Sequence, residues 1–214
     1  MAATGGHALG RCRRRRRSCP CRGSLWWARQ IPAKRGQMYA VSGMLASMAC
    51  GLLYAIAAQI AYPDRQSIAL VGDGGFTMLM GEFATAVKYQ LPIKIIVIKN
   101  NTLGQIKWEQ MAFLGNPEYG CELHPIDFAA FAQACGGIDF TIEDPAECGA
   151  ILDRARATPG PVVVQAVVGP FEPPLPAKIT LDQATKFAES LARGEPNRGK
   201  IAWAVLSDRI REHV

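Results

Sequence analysis

In the stretch VGDGGFTMLMGEF, residues 71–83, one carboxylate, Asp73, stands among three glycines, Gly72, Gly74 and Gly75. Twenty-seven positions after Asp73, the apolar run IKIIVIK (93–99) ends in a second oxygen-bearing pair, Asn100-Asn101. A carboxylate and a carboxamide are hard donors, suited to magnesium or calcium rather than to zinc or copper. Glycines at these positions can take positive φ and let a ligand approach the backbone. A helix expected to begin near Thr77 points its N-terminus, with its free N–H groups and dipole, at the same turn, where an anion is favoured. A dication beside an anion-binding turn describes a metal diphosphate.

Two commoner phosphate motifs fail on residues. A GxxxxGK[ST] loop needs a lysine that does not follow these glycines. A GxGxxG fingerprint needs a third glycine where Thr77 stands, and an acid to bind ribose where the second strand ends in Lys99-Asn100-Asn101. The reading of GD and NN as two ordinary turns stays open at this point.

The elements that must position these residues follow from periodicity. A small-residue helix over about 44–61 leads through Pro63-Asp64 to the apolar strand SIALVG (67–72). TMLMGEFATAVKYQ (77–90) puts Leu79, Phe83, Ala86 and Val87 on one helical face, and Leu91-Pro92 stops it. The β-branched run 93–99 completes a βαβ unit, whose strands are parallel, so Asp73 and Asn100 both fall at carboxyl ends of strands, where ligands of parallel sheets lie. Asp127 caps FAAFAQAC, which Gly136-Gly137 ends; IDFTIE (138–143) is a strand; DPAE (144–147) reads as a capping box opening a helix to about 157; PVVVQAVV (161–168) is a buried strand. Two amphipathic helices, near 181–193 and 198–212, read as packed appendages. The fold class is α/β, a doubly wound, mostly parallel sheet flanked by helices.

Charge and cysteines narrow the function classes. The net charge of +6 is concentrated in Arg11, Arg13 to Arg17 and Arg22; without them, seventeen Lys and Arg face eighteen Asp and Glu. A nucleic-acid-binding body is not indicated. Residues 1–25, rich in Arg, Gly and Cys with no apolar period, read as a disordered leader. The seven cysteines show no CxxC pair of metal spacing, which argues against zinc and for a reducing, cytoplasmic setting. Gln37–Pro63 carries no charge, and a membrane span near 40–62 is one alternative. Its Ala, Gly, Ser and Met content, with Gln59 inside it, suits a helix packed closely on a sheet instead.

From about Trp26 to about Lys186 the chain resembles the thiamine diphosphate-dependent enzymes, through Gly72-Asp73-Gly74, the spacing to Asn100-Asn101, and the stretch RGQMYAVSGMLASMACGLLYAIAAQIAYPDRQSIALVGDGGFTMLMGEFATAVKYQLPIKIIVIKNNTLG (35–104). It is similar to the pyruvate oxidase and pyruvate:quinone dehydrogenase branch, with acetolactate synthase close by. The resemblance implies thiamine diphosphate and Mg2+ as cofactors, with Asp73, Asn100 and the Thr102 carbonyl as metal ligands. It implies diphosphate binding by the backbone of Gly74 and Gly75, and cofactor contacts from Gly72, Leu103 and Gly104. Met48 would be the wedge that keeps the cofactor folded, flanked by Ala46 and Ser47, one of whose carbonyls would orient the cofactor's amino group. Gln105 and Ile106 would line the pocket of a 2-oxo acid substrate. Lys99 departs from the pattern, standing where many members carry the first Asn.

Apart from the resemblance, Met48 reads equally as a core methionine. Glu82, Glu109 and Glu118 read as solvated or capping residues, and His124 as ordering a loop. The C-terminal GKIAWAVLSDRIREHV reads as an ordinary surface helix rather than a membrane-surface one. The glutamate that activates the cofactor in the family lies in a separate N-terminal domain, so no catalytic residue is expected in this chain. The expected organisation is a leader (1–25), a thiamine diphosphate-binding domain (26–170) and a helical extension (171–214). It implies a fragment or half-enzyme, with little turnover alone, that works as a homo-oligomer or with a partner chain. A cofactor-binding module without catalysis is a second alternative.

Overall fold

The computed structural model describes residues 35–42, 47–171 and 180–212. The leader and Ala46 lie outside the described residues. These fall into two compact units. One runs up to Lys99 and adds Pro125–Val168; the other joins Asn100–His124 to the residues from Gly169 on.

The first unit holds a four-stranded parallel sheet of order β1-β2-β4-β3. Its strands are β1 (Ile68–Gly72), β2 (Lys94–Lys99), β3 (Ile138–Ile142) and β4 (Val162–Val167). All four lie where the apolar runs place them. In register, Ala69 faces Ile95 and Ile95 faces Val163; Gly72 faces Ile98, so β2 runs one residue past the end of β1. Ala69, Val71, Ile95, Val97 and Val163 share one face of the sheet and form its core with Leu52, Ala55, Ile56, Phe76, Phe83, Phe128 and Ala132. Ile96, Ile98, Val162 and Val164, on the opposite face, are buried as well. Burial of both faces is the condition of an all-parallel sheet, and the reason its strands read as continuous apolar runs.

Helix α1 (Cys50–Ala61) precedes β1. A Cβ on Gly51 would stand 2.3 Å from Val71 Cγ1, so the helix can lie on the strand only because residue 51 has no side chain. Gln59, the polar residue inside this charge-free stretch, is buried and satisfied: its Oε1 accepts the Ser67 N–H at 3.1 Å and its Nε2 donates to the Pro63 carbonyl at 3.1 Å. It ties the end of α1 to the start of β1. No helix among the described residues is long and apolar enough to cross a membrane.

Between β1 and β2 the structure departs from the single helix expected over 77–90. Helix α2 (Asp73–Thr77) begins on the aspartate itself; a 3-10 turn (Met80–Glu82) follows, then α3 (Phe83–Lys88). Phe83 and Ala86 are buried as the periodicity requires, but Leu79 is exposed, because the break re-aims it.

Farther on, α5 (Phe128–Ala134) is capped by Asp127, whose Oδ1 accepts the Ala129 and Ala130 N–H groups at 3.0 Å. It comes after α4 (Gly104–Leu114), a helix of the second unit that no periodicity announced. The capping box expected at 144–147 is absent. Asp144 instead closes a local turn on the Ala146 N–H at 2.8 Å, and α6 (Cys148–Ala157) starts from Glu147 without a side-chain cap. A true capping box opens α7 (Leu181–Ala192), where Thr180 and Gln183 exchange side-chain and backbone bonds. Helix α8 (Arg198–Glu212) closes the described chain.

At the amino end of β2, Lys94 is buried and its Nζ donates to the Thr158 and Gly160 carbonyls at 2.6 and 2.7 Å. Desolvation lowers its pKa to about 8.

Candidate functional site

In the first unit the candidate residues gather at the carboxyl end of β1. Gly72 closes the strand and Asp73 is the first residue of α2, with its side chain buried. Asp73 Oδ1 accepts the Gly74 N–H at 2.8 Å, and Thr77 Oγ1 donates to the Gly74 carbonyl at 2.9 Å. A carboxylate leaves water only where something compensates it. Here its position in the first helical turn and the N–H bond give part of that compensation. Phe76 seals the turn from below, edge-on to Phe128 at 5.4 Å and to Phe131 at 6.1 Å.

Of the two uses that glycine permits here, positive φ is not taken up. Gly72 has φ −76°, and none of Gly72, Gly74 and Gly75 has positive φ. Gly75 is needed for closeness instead: a Cβ there would stand 2.9 Å from the Met48 carbonyl oxygen. Met48 is thereby set against the glycine turn. Its side chain is 47% exposed and it precedes α1, so it is not the core methionine of the alternative reading. Ser47 is exposed, its N–H on Ser42 Oγ at 3.0 Å and its carbonyl accepting the Cys50 thiol at 3.3 Å.

In the second unit, Asn100, Thr102, Leu103 and Gly104 form the loop that enters α4. Asn100 Oδ1 accepts the Thr102 N–H at 3.2 Å, and Asn101 sits at φ +55°, a conformation asparagine tolerates better than most residues. The returning segment 115–123 fixes the loop. The Cys121 carbonyl accepts the Leu103 N–H at 2.8 Å and Thr102 Oγ1 at 3.2 Å, and the Asn101 carbonyl accepts the Leu123 N–H at 2.9 Å. Thr102 and Glu122 form an antiparallel bridge. Burial, with the Glu118 charge next in weight, raises the Cys121 thiol pKa. Gln105 and Ile106 stand exposed on the first turn of α4, Gln105 Nε2 on Glu109 Oε1 at 2.9 Å.

Two buried charges escaped the reading of the sequence. Glu118, read as a solvated or capping residue, pairs with buried Lys107 at 2.5 Å, and Glu195 is buried as well. Gly115 at φ +67°, following Trp108 and Met111 one turn apart, is the local signal that would have revealed α4. Nothing local reports a pairing between residues 107 and 118.

The donor types at these positions are carboxylate, carboxamide and backbone carbonyl. With the close approach at Gly75, they fit a hard dication and a phosphate-bearing group. A family model described as "Thiamine pyrophosphate enzyme, C-terminal TPP binding domain" matches residues 22–166. The Bacillus subtilis protein YdaP, whose name describes it as thiamine pyrophosphate-containing, is 42% identical over 170 residues, 79% of this chain and 29% of that protein. Pyruvate oxidase of Lactiplantibacillus plantarum is 34% identical, over 76% of this chain and 27% of its own. Acetolactate synthase 2 of Nicotiana tabacum is 31% identical, over 71% of this chain and 24% of its own. The chain thus spans less than a third of the length of these relatives.

Proposed function

The chain belongs to the thiamine pyrophosphate enzymes, of which it carries the C-terminal cofactor-binding domain, and from that premise we propose that it binds magnesium thiamine diphosphate for the decarboxylation of a 2-oxo acid of the pyruvate class. The observation that carries the proposal is the buried carboxylate of Asp73 immediately after Gly72 closes β1, with Gly72 paired to Ile98 near the end of β2.

In this reading Asp73, the Asn100 side chain and the Thr102 carbonyl hold the magnesium ion. Gly74 and Gly75 offer backbone N–H groups to the diphosphate, with Gly72, Leu103 and Gly104 alongside. The half-exposed Met48 side chain, ahead of α1, keeps the cofactor bent, with Ala46 and Ser47 beside it. Gln105 and Ile106, exposed on α4, face the substrate. When bound, the cofactor supplies an electron sink for the carbon that loses carbon dioxide. This chain's part is to bind, anchor and orient.

We propose further that the acid–base glutamate comes from outside this chain, through a partner chain or through domains joined to it, and that residues 171–214 extend a cofactor domain of 26–170. The coverage of less than a third of each relative supports a fragment or half-enzyme. The thiols of Cys50, Cys121 and Cys135, which form no disulfide among the described residues, support a reducing, cytoplasmic setting.

Calorimetric titration of thiamine diphosphate into the purified chain, with and without magnesium, tests the binding; a pyruvate turnover assay of the same sample tests the rest. Magnesium-dependent binding with negligible turnover is the expected pair of results. No binding overturns the cofactor reading, and turnover like that of full-length enzymes overturns the half-enzyme reading.

A further inference from the structure

The family match ends at residue 166, so it assigns nothing to α7, α8 or the turn between them. That turn nevertheless carries a buried acid. Glu195 is 2% exposed; its Oε2 accepts the backbone N–H of Glu118 at 2.8 Å, and its Oε1 is buried with no hydrogen-bond partner among the described residues. Burying a carboxylate costs stability, and its bond to the Glu118 N–H ties the turn to a distant segment. Beside it, Arg193 donates to the Gly115 carbonyl at 3.1 Å and to Asn116 Oδ1 at 3.3 Å. The Glu118 side chain in turn takes Lys107 of α4, whose Nζ also lies over the Trp108 ring at 5.2 Å and the Phe171 ring at 5.7 Å. Trp108, Met111 and Ile201 pack beneath with Phe171, Phe187 and Leu191.

These bonds all converge on one short segment. Glu118 lies three residues before Cys121, whose carbonyl holds Leu103 and Thr102, and five before Leu123, whose N–H holds the Asn101 carbonyl. Arg193 and Glu195 grip the segment from the α7–α8 turn, and Lys107 grips it from α4. The bonds to Asn101, Thr102 and Leu103 pass that grip on to the loop.

We infer that the α7–α8 turn is a strut for the Asn100–Gly104 loop, with Glu195 and Lys107 as positioning residues for magnesium binding. The inference rests on the reading of Asn100 and Thr102 as magnesium ligands. Partners one shell removed from a metal typically set its affinity by about 10- to 100-fold, and Glu195 acts at the low end, through Glu118 and Cys121. Linkage requires the converse: metal bound at the loop must slow the opening of the turn.

The test uses the full chain, Glu195→Ala and Glu195→Gln, read by amide hydrogen exchange without ligand and by magnesium titration in saturating thiamine diphosphate. In Glu195→Ala, the Leu103 and Leu123 amides exchange about tenfold faster while the β1 and β2 amides keep their rates, and magnesium binds about tenfold more weakly. Glu195→Gln, which still offers Oε1 to the Glu118 N–H, restores most of both. Unchanged exchange at Leu103 and Leu123, or acceleration spread evenly over the sheet, overturns the strut. Should Glu195→Ala fail to fold, Glu195→Gln and the unmodified chain decide. Where the titration shows magnesium bound, the Glu118 amide must slow on adding magnesium and thiamine diphosphate, and no slowing in the loaded chain overturns the inference. If the unmodified chain binds no magnesium, the proposed function fails, while exchange in the ligand-free variants still decides the strut.

Discussion

Asp73 lies in a turn sealed by Phe76, Phe128 and Phe131 and closed tightly by glycine, whereas the Asn100–Leu103 loop hangs on hydrogen bonds to a segment that buried charges secure. Both sites present oxygen atoms, but the physics holding them differs. Apolar packing is non-directional and tolerant of modest change in shape. A buried polar network is directional and fails when one member is lost, since the remaining partner keeps its desolvation cost. The first site is therefore expected to respond to changes in volume and the second to changes in charge.

The largest effect comes from breaking the second region. Lys107→Met leaves the Glu118 carboxylate without its cation and lowers stability by about 3 kcal/mol, measured by denaturant unfolding. Adding Glu118→Met removes the stranded charge and recovers most of the loss. Equal instability in the single and double variants would mean that charge is not what matters there.

In the first region the corresponding change is one of volume. Gly75→Ala sets a Cβ 2.9 Å from the Met48 carbonyl, a backbone atom that can yield only by moving the start of α1. The cost is about 2 kcal/mol of stability, with weaker cofactor binding. A silent Gly75→Ala would show that the glycine serves no close approach.

How far each region was legible follows from the same contrast. The four strands, the Asp127 cap and the helices beginning at Leu181 and Arg198 announce themselves through local pattern. Where local signals competed, the reading went astray. Asp144 could close a turn or cap a helix, and the turn won, because its carboxylate reaches the Ala146 N–H two residues on. The glycines after β1 invited a left-handed turn, yet the chain is helical from Asp73, and packing against Met48 selects glycine at 75. The Lys107–Glu118 pair and buried Glu195 were the least legible, since no local pattern reports a partner elsewhere in the chain.

The smallest effect is a pH slope that belongs to neither region. Lys94 has a pKa of about 8 in the fold against 10.5 as its ordinary value. Between those values the unfolded chain holds a proton that the folded chain has released, so this group makes stability rise with pH across the window. Lys94→Met flattens that slope. It also strips the Thr158 and Gly160 carbonyls of their donor, at about 1–2 kcal/mol near neutral pH. Unfolding curves of the two proteins at pH 7, 9 and 10 measure both effects, and parallel pH profiles would show that Lys94 does not titrate there.

The proposed magnesium site requires Asp73 and Asn100 to serve one ion. A double-mutant cycle on magnesium affinity in saturating thiamine diphosphate, using Asp73→Ala, Asn100→Ala and both together, measures that directly. Ligands of a shared ion give strongly non-additive losses, the double variant being little weaker than Asp73→Ala alone. Losses that simply multiply would mean two independent sites, and would contradict the account.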